Sequence, residues 1–369
     1  MAKMGKKSAL AIILTVMLVM FVLGLLLFLL PDQQLSLAER RKLEQMPVIS
    51  AATVFSGHYM SDLEHYFLDQ FPFRDSFRAA KAFMRFEIFR QKDNNDIYLY
   101  QDNVFKLDYR LQERQVGLTA AKINQVYQQF LQGLPVYYGV IPDKNYFVPP
   151  EAGYPRLDYA GLLTMLQQQL NPKLCYIDIF DCLSLDDYYR TDTHWRQEAI
   201  FPVANRLVQA MGGVVLPSRE DYQQQRLYPF YGVYCGQSAL PVPPDELIYL
   251  SADSTAQSVV RSVEEPGQFP VYTVDKFTGL DGYDVFLSGP SALLTIENPV
   301  AATERELVLF RDSFASSLTP LLLANYAKIT LVDLRYFAAS LLGDYVQFTD
   351  ADVLFLYSTS LINNGSLLK

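Results

Sequence analysis

The spacing of hydrophobic and polar residues divides the chain into three parts. A run of 22 residues from Ala9 to Leu30 contains no charge, and a helix of about 20 apolar residues is long enough to cross a bilayer. After it, apolar residues recur at helical spacing between Met60 and Lys92, and we predict a further helix from Leu37 to Met46. We therefore expect a membrane-spanning helix followed by a helical stem over residues 31–95.

From residue 96 to the end, short apolar runs alternate with segments of helical periodicity. Strands separated by single helices are typical of a parallel sheet with helices on its faces. Residues 213–303 differ, because prolines, glycines and short strands dominate there, and we interpret them as a β-rich insertion within an α/β domain. The predicted elements are a hairpin (97–107), helices (118–131, 159–170, 197–211 and 314–326) and strands (136–141, 174–180, 306–310, 328–334 and 353–357).

Charges near the N-terminus predict the topology. Lys3, Lys6 and Lys7 precede the apolar run without any acidic residue, so the N-terminal tip should remain in the cytoplasm. A cleaved signal peptide is the alternative, since Ser36-Leu37-Ala38 offers small residues for cleavage, but its apolar region would be shorter, about 7–15 residues. We favour an uncleaved, single-pass anchor within residues 1–30, with the rest of the chain outside the cytoplasm at the cell membrane.

The composition restricts the possible partners. The chain carries 31 basic and 40 acidic residues and a net charge of −9. This balance argues against a nucleic-acid partner, because proteins that bind nucleic acid present a basic face. Cys175, Cys182 and Cys235 are too few for a disulfide scaffold, although the first two are close enough in sequence to pair.

The motif Asp192-Thr193-His194-Trp195 contains one of three histidines and the only tryptophan. The other histidines, His58 and His65, lie in the predicted stem, so His194 is the leading candidate for acid–base chemistry near neutral pH. An aspartate two residues earlier projects to the same side of an extended segment. Its carboxylate can fix the imidazole tautomer and stabilise the imidazolium, as the third member of a nucleophilic triad does.

A metal site is the rival interpretation of this motif, because Asp-x-His also opens the metallophosphoesterase signature. Binuclear sites of that kind need several further histidines, and the two that remain belong to the stem. We therefore predict neither a metal nor another cofactor.

A second motif supplies a nucleophile. Leu307–Phe310 followed by Arg311-Asp312-Ser313-Phe314 predicts a buried strand that runs into a helix through a polar turn. Such a turn exposes Ser313 at the carboxyl edge of a parallel sheet, where ligands of open α/β folds bind and free N–H groups can stabilise an oxyanion. From spacing alone the structural alternative, in which Asp312 or Ser313 caps the helix, is favoured.

Taken as an ordered pair, Tyr189–Trp195 and Leu309–Phe314 resemble the core motifs of one extracytoplasmic branch of the SGNH-hydrolase superfamily. This branch contains the alginate O-acetyltransferases and the DHHW family, and in it an Asp-x-His-Trp motif precedes a motif ending in Asp-Ser. The resemblance covers nearly the whole chain beyond the anchor and is weakest in the insertion. Four supporting segments carry it: Glu39–Leu43, Asp69–Asp75, Pro142–Lys144 and Asp333–Tyr336.

The resemblance implies an SGNH-like three-layer α/β/α fold over residues 96–369 with a parallel sheet. It also implies a triad in which Ser313 is the nucleophile, His194 the general base and acid, and Asp192 the orienting carboxylate. Thr193 stands where the DHHW name has its first histidine, a position outside the triad. Arg311 replaces the usual glycine before Asp-Ser, where it could crowd the oxyanion site or supply a cation.

Six residues are candidates for contact with the substrate or the oxyanion, each with a structural alternative. Arg311 and Asp312 adjoin the nucleophile. Lys144 and Asn145 could contribute polar groups or simply form a turn. Trp195 could wall the pocket or pack beneath the histidine loop, and Tyr189 could reach the substrate or anchor that loop.

The implied activity is transfer of an acyl group, acetyl by resemblance, to a cell-surface polysaccharide through an acyl-enzyme. An esterase would use the same triad, and the sequence does not separate the two reactions. The alginate system implies a membrane-bound O-acyltransferase as the partner that supplies the acyl group. The non-enzymatic alternative is a polysaccharide-binding or assembly protein with a degenerate SGNH fold, motivated by Arg311 and by the lack of recognisable oxyanion glycine and asparagine residues.

Overall fold

The computed structural model describes residues 6–36, 38–240 and 242–369, which form two compact units. One unit contains the described residues up to Asn94 together with 236–240. The other contains Asn95–Cys235 and Val242–Lys369 and carries both sequence motifs. None of Cys175, Cys182 and Cys235 forms a disulfide within residues 6–36, 38–240 and 242–369.

The N-terminal unit begins with a helix that is long and apolar enough to cross a membrane. This helix buries none of its most apolar stretch against the protein, as expected of a segment whose solvent is lipid or of a signal sequence. The elements of this unit are α1 (Lys6–Leu29), β1 (Leu35–Ser36), β2 (Arg41–Lys42), α2 (Ala51–Phe55), α3 (His58–Asp69) and α4 (Arg74–Phe83), which continues into a π-helical turn (Met84–Ile88).

The predicted helix from Leu37 to Met46 is wrong for its described residues, and Leu37 itself lies outside them. The strands β1 and β2 pair there instead. The two terminal nitrogens of Arg41 donate to the carboxylate oxygens of Asp69 at 2.7 and 2.5 Å. Glu39 forms an ion pair with Arg74 at 2.6 Å. These contacts to α3 and α4 hold the segment extended and outweigh its local helix propensity.

The second unit is built on a seven-stranded sheet of order β6-β5-β13-β11-β12-β10-β9. The first five strands in this order run parallel, and the last two pairings are antiparallel. The elements from residue 97 onward, in chain order, are β3 (Ile97–Tyr100), β4 (Asn103–Lys106), α5 (Glu113–Phe130), β5 (Val136–Ile141), α6 (Tyr159–Gln169), β6 (Cys175–Ile177), α7 (Phe201–Ala210), β7 (Gln223–Phe230), α8 (Val233–Ser238), β8 (Asp245–Ser251), α9 (Asp253–Ala256), β9 (Val259–Ser262), β10 (Leu293–Glu297), β11 (Glu306–Arg311), α10 (Ala315–Leu322), β12 (Lys328–Val332), α11 (Leu342–Tyr345), β13 (Ala351–Ser358) and α12 (Thr359–Ile362). All belong to the second unit except the last three residues of α8, which belong to the N-terminal unit.

Helices cover both faces of this sheet, which gives the three layers that the sequence predicted. Val308 and Phe310 of β11 pack in one hydrophobic cluster with α5 and α6. Leu307 and Leu309 point the other way and pack with α7 and α10. Because alternate residues of a strand face opposite sides of a sheet, an uninterrupted apolar strand such as β11 needs cover on both.

Part of the segment 213–303 belongs to the central sheet, so the segment is not an independent insertion. Strands β7 and β8 do form a ribbon of their own, but β9 and β10 extend the central sheet. Strand β10 pairs antiparallel with β12 over five residues. Its residues Leu293 and Leu294 are buried in the clusters on opposite faces of the sheet, so β10 belongs to the core rather than to an appendage.

Replacing Asp69 by Asn should destabilise the N-terminal unit. Its carboxylate accepts bonds from Arg41 and, at 2.9 Å, from the N–H of Glu44, and the Arg41 guanidinium lowers the Asp69 pKa to about 2. Since the folded pKa lies below the unfolded value, the contribution is complete above about pH 4 and is lost as the pH falls through 2. We expect a loss of about 1–3 kcal/mol at neutral pH.

Denaturant unfolding of wild type and Asp69→Asn at neutral pH and near pH 2 measures this difference. Asp75→Asn is the matched control, because that carboxylate is exposed and its ion pairs are no shorter than 3.5 Å. Equal stabilities of the Asp69 and Asp75 variants at neutral pH would contradict the prediction.

Candidate functional site

The segment from Tyr189 to His194 forms a closed loop. The N–H of Tyr189 donates to the carbonyl of His194 at 3.1 Å, and flanking residues pair as a short antiparallel bridge. Lys144 donates to the carbonyls of Tyr189 and Arg190 at 2.8 and 2.9 Å. Asp245 accepts the N–H of Thr191 at 2.8 Å and its hydroxyl at 2.6 Å. The loop is therefore fixed from two sides.

Asp192 is fully buried inside this loop and orients His194. Its Oδ1 accepts the backbone N–H of His194 at 3.0 Å and approaches the ring nitrogen Nδ1 at 2.6 Å. Its Oδ2 accepts the N–H of Val233 at 2.7 Å. Because a carboxylate can only accept, Nδ1 carries the ring hydrogen and Nε2 is left as an acceptor.

The acceptor Nε2 of His194 lies 2.8 Å from the hydroxyl of Ser313, 119 residues further along the chain. Ser313 follows the carboxyl end of β11 and precedes α10, at the edge of the sheet where the sequence predicted it. The structure thus brings Ser313, His194 and Asp192 together in one hydrogen-bonded row. Ser313 retains some exposure, whereas His194 is 7% exposed.

Asp312 shapes the turn that presents the serine. Its Oδ1 accepts the N–H of Phe314 at 3.1 Å, and its Oδ2 accepts the N–H of Ser358 at the end of β13 at 2.8 Å. Both oxygens are occupied by backbone donors, so Asp312 ties the turn to the neighbouring strand. Within the described part of the chain, the N–H of Ser313 itself donates no hydrogen bond, which leaves it available to a ligand.

Arg311 is buried beside this turn. Its Nη1 donates to the hydroxyl of Ser316 at 3.0 Å, but its Nε and Nη2 have no partner among the described residues. Burial lowers the Arg311 pKa, which the charge of Asp333 opposes. A buried guanidinium with two unpaired donors costs free energy, so Arg311 is an unfavourable group beside Ser313.

The remaining candidates lie inside the protein and support the loops. Lys144 donates hydrogen bonds to three carbonyls, the third being that of Val104 at 2.9 Å. Burial lowers the pKa of Lys144 to about 7, and the charges of Asp245 and Asp192 oppose that shift. Asn145 is engaged by Lys106, Asp143 and Tyr98, and Trp195 and Tyr189 have no exposed surface.

Trp195 lies inside the protein between the histidine loop and α10. Its Nε1 donates at 3.0 Å to the carbonyl of Phe314 and to the hydroxyl of Ser317. The ring therefore joins the histidine loop to the first turn of α10.

Sequence reasoning missed three groups that fix the histidine. Tyr283 stacks on the imidazole of His194 with ring centroids 3.9 Å apart and planes 7° from parallel, and its hydroxyl lies 2.8 Å from that of Ser317. Asp245 and the N–H of Val233 hold the loop as described above. All three come from the segment 213–303, where no motif marks them and only folding brings them to the site.

No three His, Cys, Asp or Glu side chains within residues 6–36, 38–240 and 242–369 are grouped so that they could hold a metal ion. His58 and His65 both lie in α3 of the other unit.

Comparison with solved structures identifies the fold. A DHHW family protein from Eubacterium siraeum superposes with a TM-score of 0.63 at 18% identity, covering 74% of this chain and 94% of that one. PatB1 from Bacillus cereus superposes with a TM-score of 0.61 at 18% identity, covering 74% and 98%. A structure of PatB1 with a sulfonyl adduct gives 0.58 at 18%, covering 73% and 97%. No family model matches the sequence, nor does any curated protein.

These similarities confirm the expected α/β fold built on a largely parallel sheet, and show that a DHHW family protein has a similar fold. At this level of identity they establish the fold, while roles for individual residues rest on the geometry of the site.

A β-carbon at position 232 should disturb the histidine loop. It would overlap the backbone of Thr191 and Asp192, which cannot yield as a flexible side chain would. We expect Gly232→Ala to destabilise the fold by about 1–3 kcal/mol through overpacking, measured as a lower melting temperature.

Gly117→Ala is the matched control for that variant. The nearest atom to its β-carbon belongs to the side chain of Gln169, and alanine favours α5 by up to about 1 kcal/mol. A melting temperature of Gly232→Ala equal to that of the wild type would show that the loop is not held as tightly as its contacts indicate.

Proposed function

We propose that this protein is a membrane-anchored serine acyltransferase that acetylates hydroxyl groups of a cell-surface polysaccharide outside the cytoplasm. The observation that carries the proposal is the row of hydrogen bonds from Asp192 through His194 to Ser313, at 2.6 and 2.8 Å. A base oriented by a carboxylate and in contact with a hydroxyl is what nucleophilic catalysis by serine needs.

The first half of the reaction forms an acyl-enzyme. Ser313 Oγ attacks the carbonyl carbon of an acyl ester while His194 Nε2 takes the hydroxyl proton, and Asp192 stabilises the resulting imidazolium. The free N–H of Ser313 donates to the oxyanion of the tetrahedral intermediate. The intermediate collapses as His194 returns the proton to the departing alcohol oxygen, which leaves the acyl group on Ser313.

The second half transfers the acyl group. A sugar hydroxyl gives its proton to His194 Nε2 and attacks the acyl carbon, and collapse of the second intermediate returns the proton to Ser313 Oγ. If water takes the place of the sugar, the same residues perform ester hydrolysis. The resemblance of the sequence motifs to the alginate O-acetyltransferases favours transfer and an acetyl group.

The proposed location is the cell membrane, with the unit that carries Ser313 on the outer side. Helix α1 crosses the membrane with the N-terminal lysines on the cytoplasmic side, and the unit that carries Ser313 lies outside. Acyl donors made in the cytoplasm would reach it through a membrane-bound O-acyltransferase, the partner that the same resemblance implies.

A binding protein without catalysis is the second candidate. Two observations favour it. The amide of Asn145 is fully engaged within the protein and is not available to an oxyanion. Arg311, which has two donors without partners, stands where the resembling families usually have glycine. In that case the unit would hold a polysaccharide without forming an acyl-enzyme.

Covalent labelling of the full chain with a fluorophosphonate or a sulfonyl fluoride tests for an activated serine. Wild type should be labelled on Ser313, and Ser313→Ala should not be labelled. His194→Ala should react at least ~10²-fold more slowly, because it loses the general base. Labelled peptides identified by mass spectrometry give the site and the rate.

Ser360→Ala is the control, since Ser360 is an exposed serine of the same unit and its loss should change nothing. A folded wild type that is never labelled, yet binds oligosaccharides, would favour the binding protein. For a labelled protein, incubation with p-nitrophenyl acetate and oligosaccharides separates the reactions: acetylated sugar indicates a transferase, and acetate alone an esterase.

A further inference from the structure

Three phenylalanines form an exposed cluster at the junction of α3 and α4. Phe71, Phe73 and Phe77 are 37%, 62% and 51% exposed, and the rings of Phe71 and Phe77 meet edge to face with centroids 5.6 Å apart. Single exposed apolar residues are common, but a contiguous aromatic patch marks a surface that binds something apolar. We refer to Phe71, Phe73 and Phe77 as the aromatic cluster.

The aromatic cluster is tied to the outer end of α1. The hydroxyl of Tyr66 in α3 donates to Asp32 at 2.9 Å. The side chain of Gln70, the residue before the cluster, accepts the N–H of Gln33 and donates to its carbonyl, both at 2.9 Å. Leu30 also lines the same cavity as Phe71 and Phe73.

These bonds fix the height of the cluster relative to a bilayer that α1 spans. The 24 residues of α1 extend for ~36 Å, against a hydrocarbon layer of ~30 Å and headgroup regions that add roughly 5–8 Å on each side. Asp32 and Gln33 follow Leu29 by three and four residues, hence lie at most ~14 Å from it. The cluster is therefore within reach of the lipid headgroups.

The segment that carries the aromatic cluster is basic, which favours contact with a lipid surface. Six basic and two acidic residues occur between Phe71 and Lys92, in a chain whose net charge is −9. Arg74 and Arg78 pair with Glu39 at 2.6 and 3.1 Å, which still leaves the segment with an excess of basic residues. Met84 and Ile88, both exposed, lie in the π-helical turn that follows α4 and add apolar surface to the same segment. Phenylalanine on one face with lysine and arginine beside it is the composition of helices that lie in the membrane interface.

We propose that the aromatic cluster inserts into the outer headgroup region of the bilayer that α1 crosses, so that the protein holds the membrane at a second point. The partner is the lipid surface itself. This inference rests on the membrane anchor within the proposed function and is independent of the chemistry of Ser313. A second contact restrains the tilt of the N-terminal unit, which a single helix would leave free.

Tryptophan fluorescence tests this proposal, because the only native tryptophan, Trp195, is fully buried and serves as a constant background. The full chain is placed in nanodiscs of phosphatidylcholine that is either unmodified or brominated on its acyl chains. Phe73→Trp and Phe77→Trp should lose fluorescence roughly twofold in brominated lipid, since an interfacial ring lies ~5–10 Å deep.

Two variants control the result. Ser360→Trp lies at an exposed position of the unit that carries Ser313, which the proposed function places outside the membrane, and should keep its fluorescence. Phe28→Trp lies in α1 and is 70% exposed, so it should be quenched if α1 is in the membrane.

The outcomes separate this inference from the proposed anchor. Quenching at positions 28, 73 and 77 but not at 360 supports the insertion of the cluster. Quenching at position 28 alone overturns the proposed insertion and indicates that the cluster binds a protein partner or a second copy of the chain. Absence of quenching at position 28 overturns the anchor, and the inference with it, while leaving the labelling of Ser313 unaffected.

Discussion

The buried carboxylate of Asp192 is the interaction on which the candidate site depends. A carboxylate without any exposed surface is tolerated only where both oxygens are engaged, and here Oδ1 receives His194 while Oδ2 receives the N–H of Val233. Val233 lies 41 residues beyond Asp192 and outside both motifs. The direction of the imidazole is therefore set by a third segment that folds back over the loop, and Tyr283 from that same segment stacks on the ring.

Ser313 is held in place by a second aspartate in the same manner. Asp312 accepts one N–H from its own turn and one from Ser358 on the adjacent strand, so the position of Ser313 follows from the pairing of β11 with β13. Each partner of the 2.8 Å contact between His194 and Ser313 is thus fixed independently by a buried carboxylate. Preorganisation of this kind lowers the cost of reaching a reactive geometry. Arg311 is not satisfied in this way, because its Nε and Nη2 have no partner among the described residues.

Sequence patterns predicted the regular elements of the second unit well, because they are long and strongly apolar. The buried strands 136–141 and 306–310 and the helix near 159–170 correspond to β5, β11 and α6. The pattern failed where distant ion pairs decide the conformation, as in the segment around Arg41, which is bound by Asp69 rather than helical. It also missed that β10 joins the central sheet, since a short apolar run carries no information about which strand it will pair with.

The sequence by itself determined the apolar length of α1, the α/β alternation and the two short motifs that contain Asp192, His194 and Ser313. These are local properties, readable from spacing and residue type. Only the tertiary structure decided that the motifs meet, that Lys144 and Asn145 face the interior, and that Tyr283, Asp245 and Val233 complete the loop. It also decided that Phe71, Phe73 and Phe77 remain exposed beside the end of α1. The physical reason is the same throughout: burial and hydrogen bonding join residues tens to hundreds of positions apart, and no local pattern encodes that pairing.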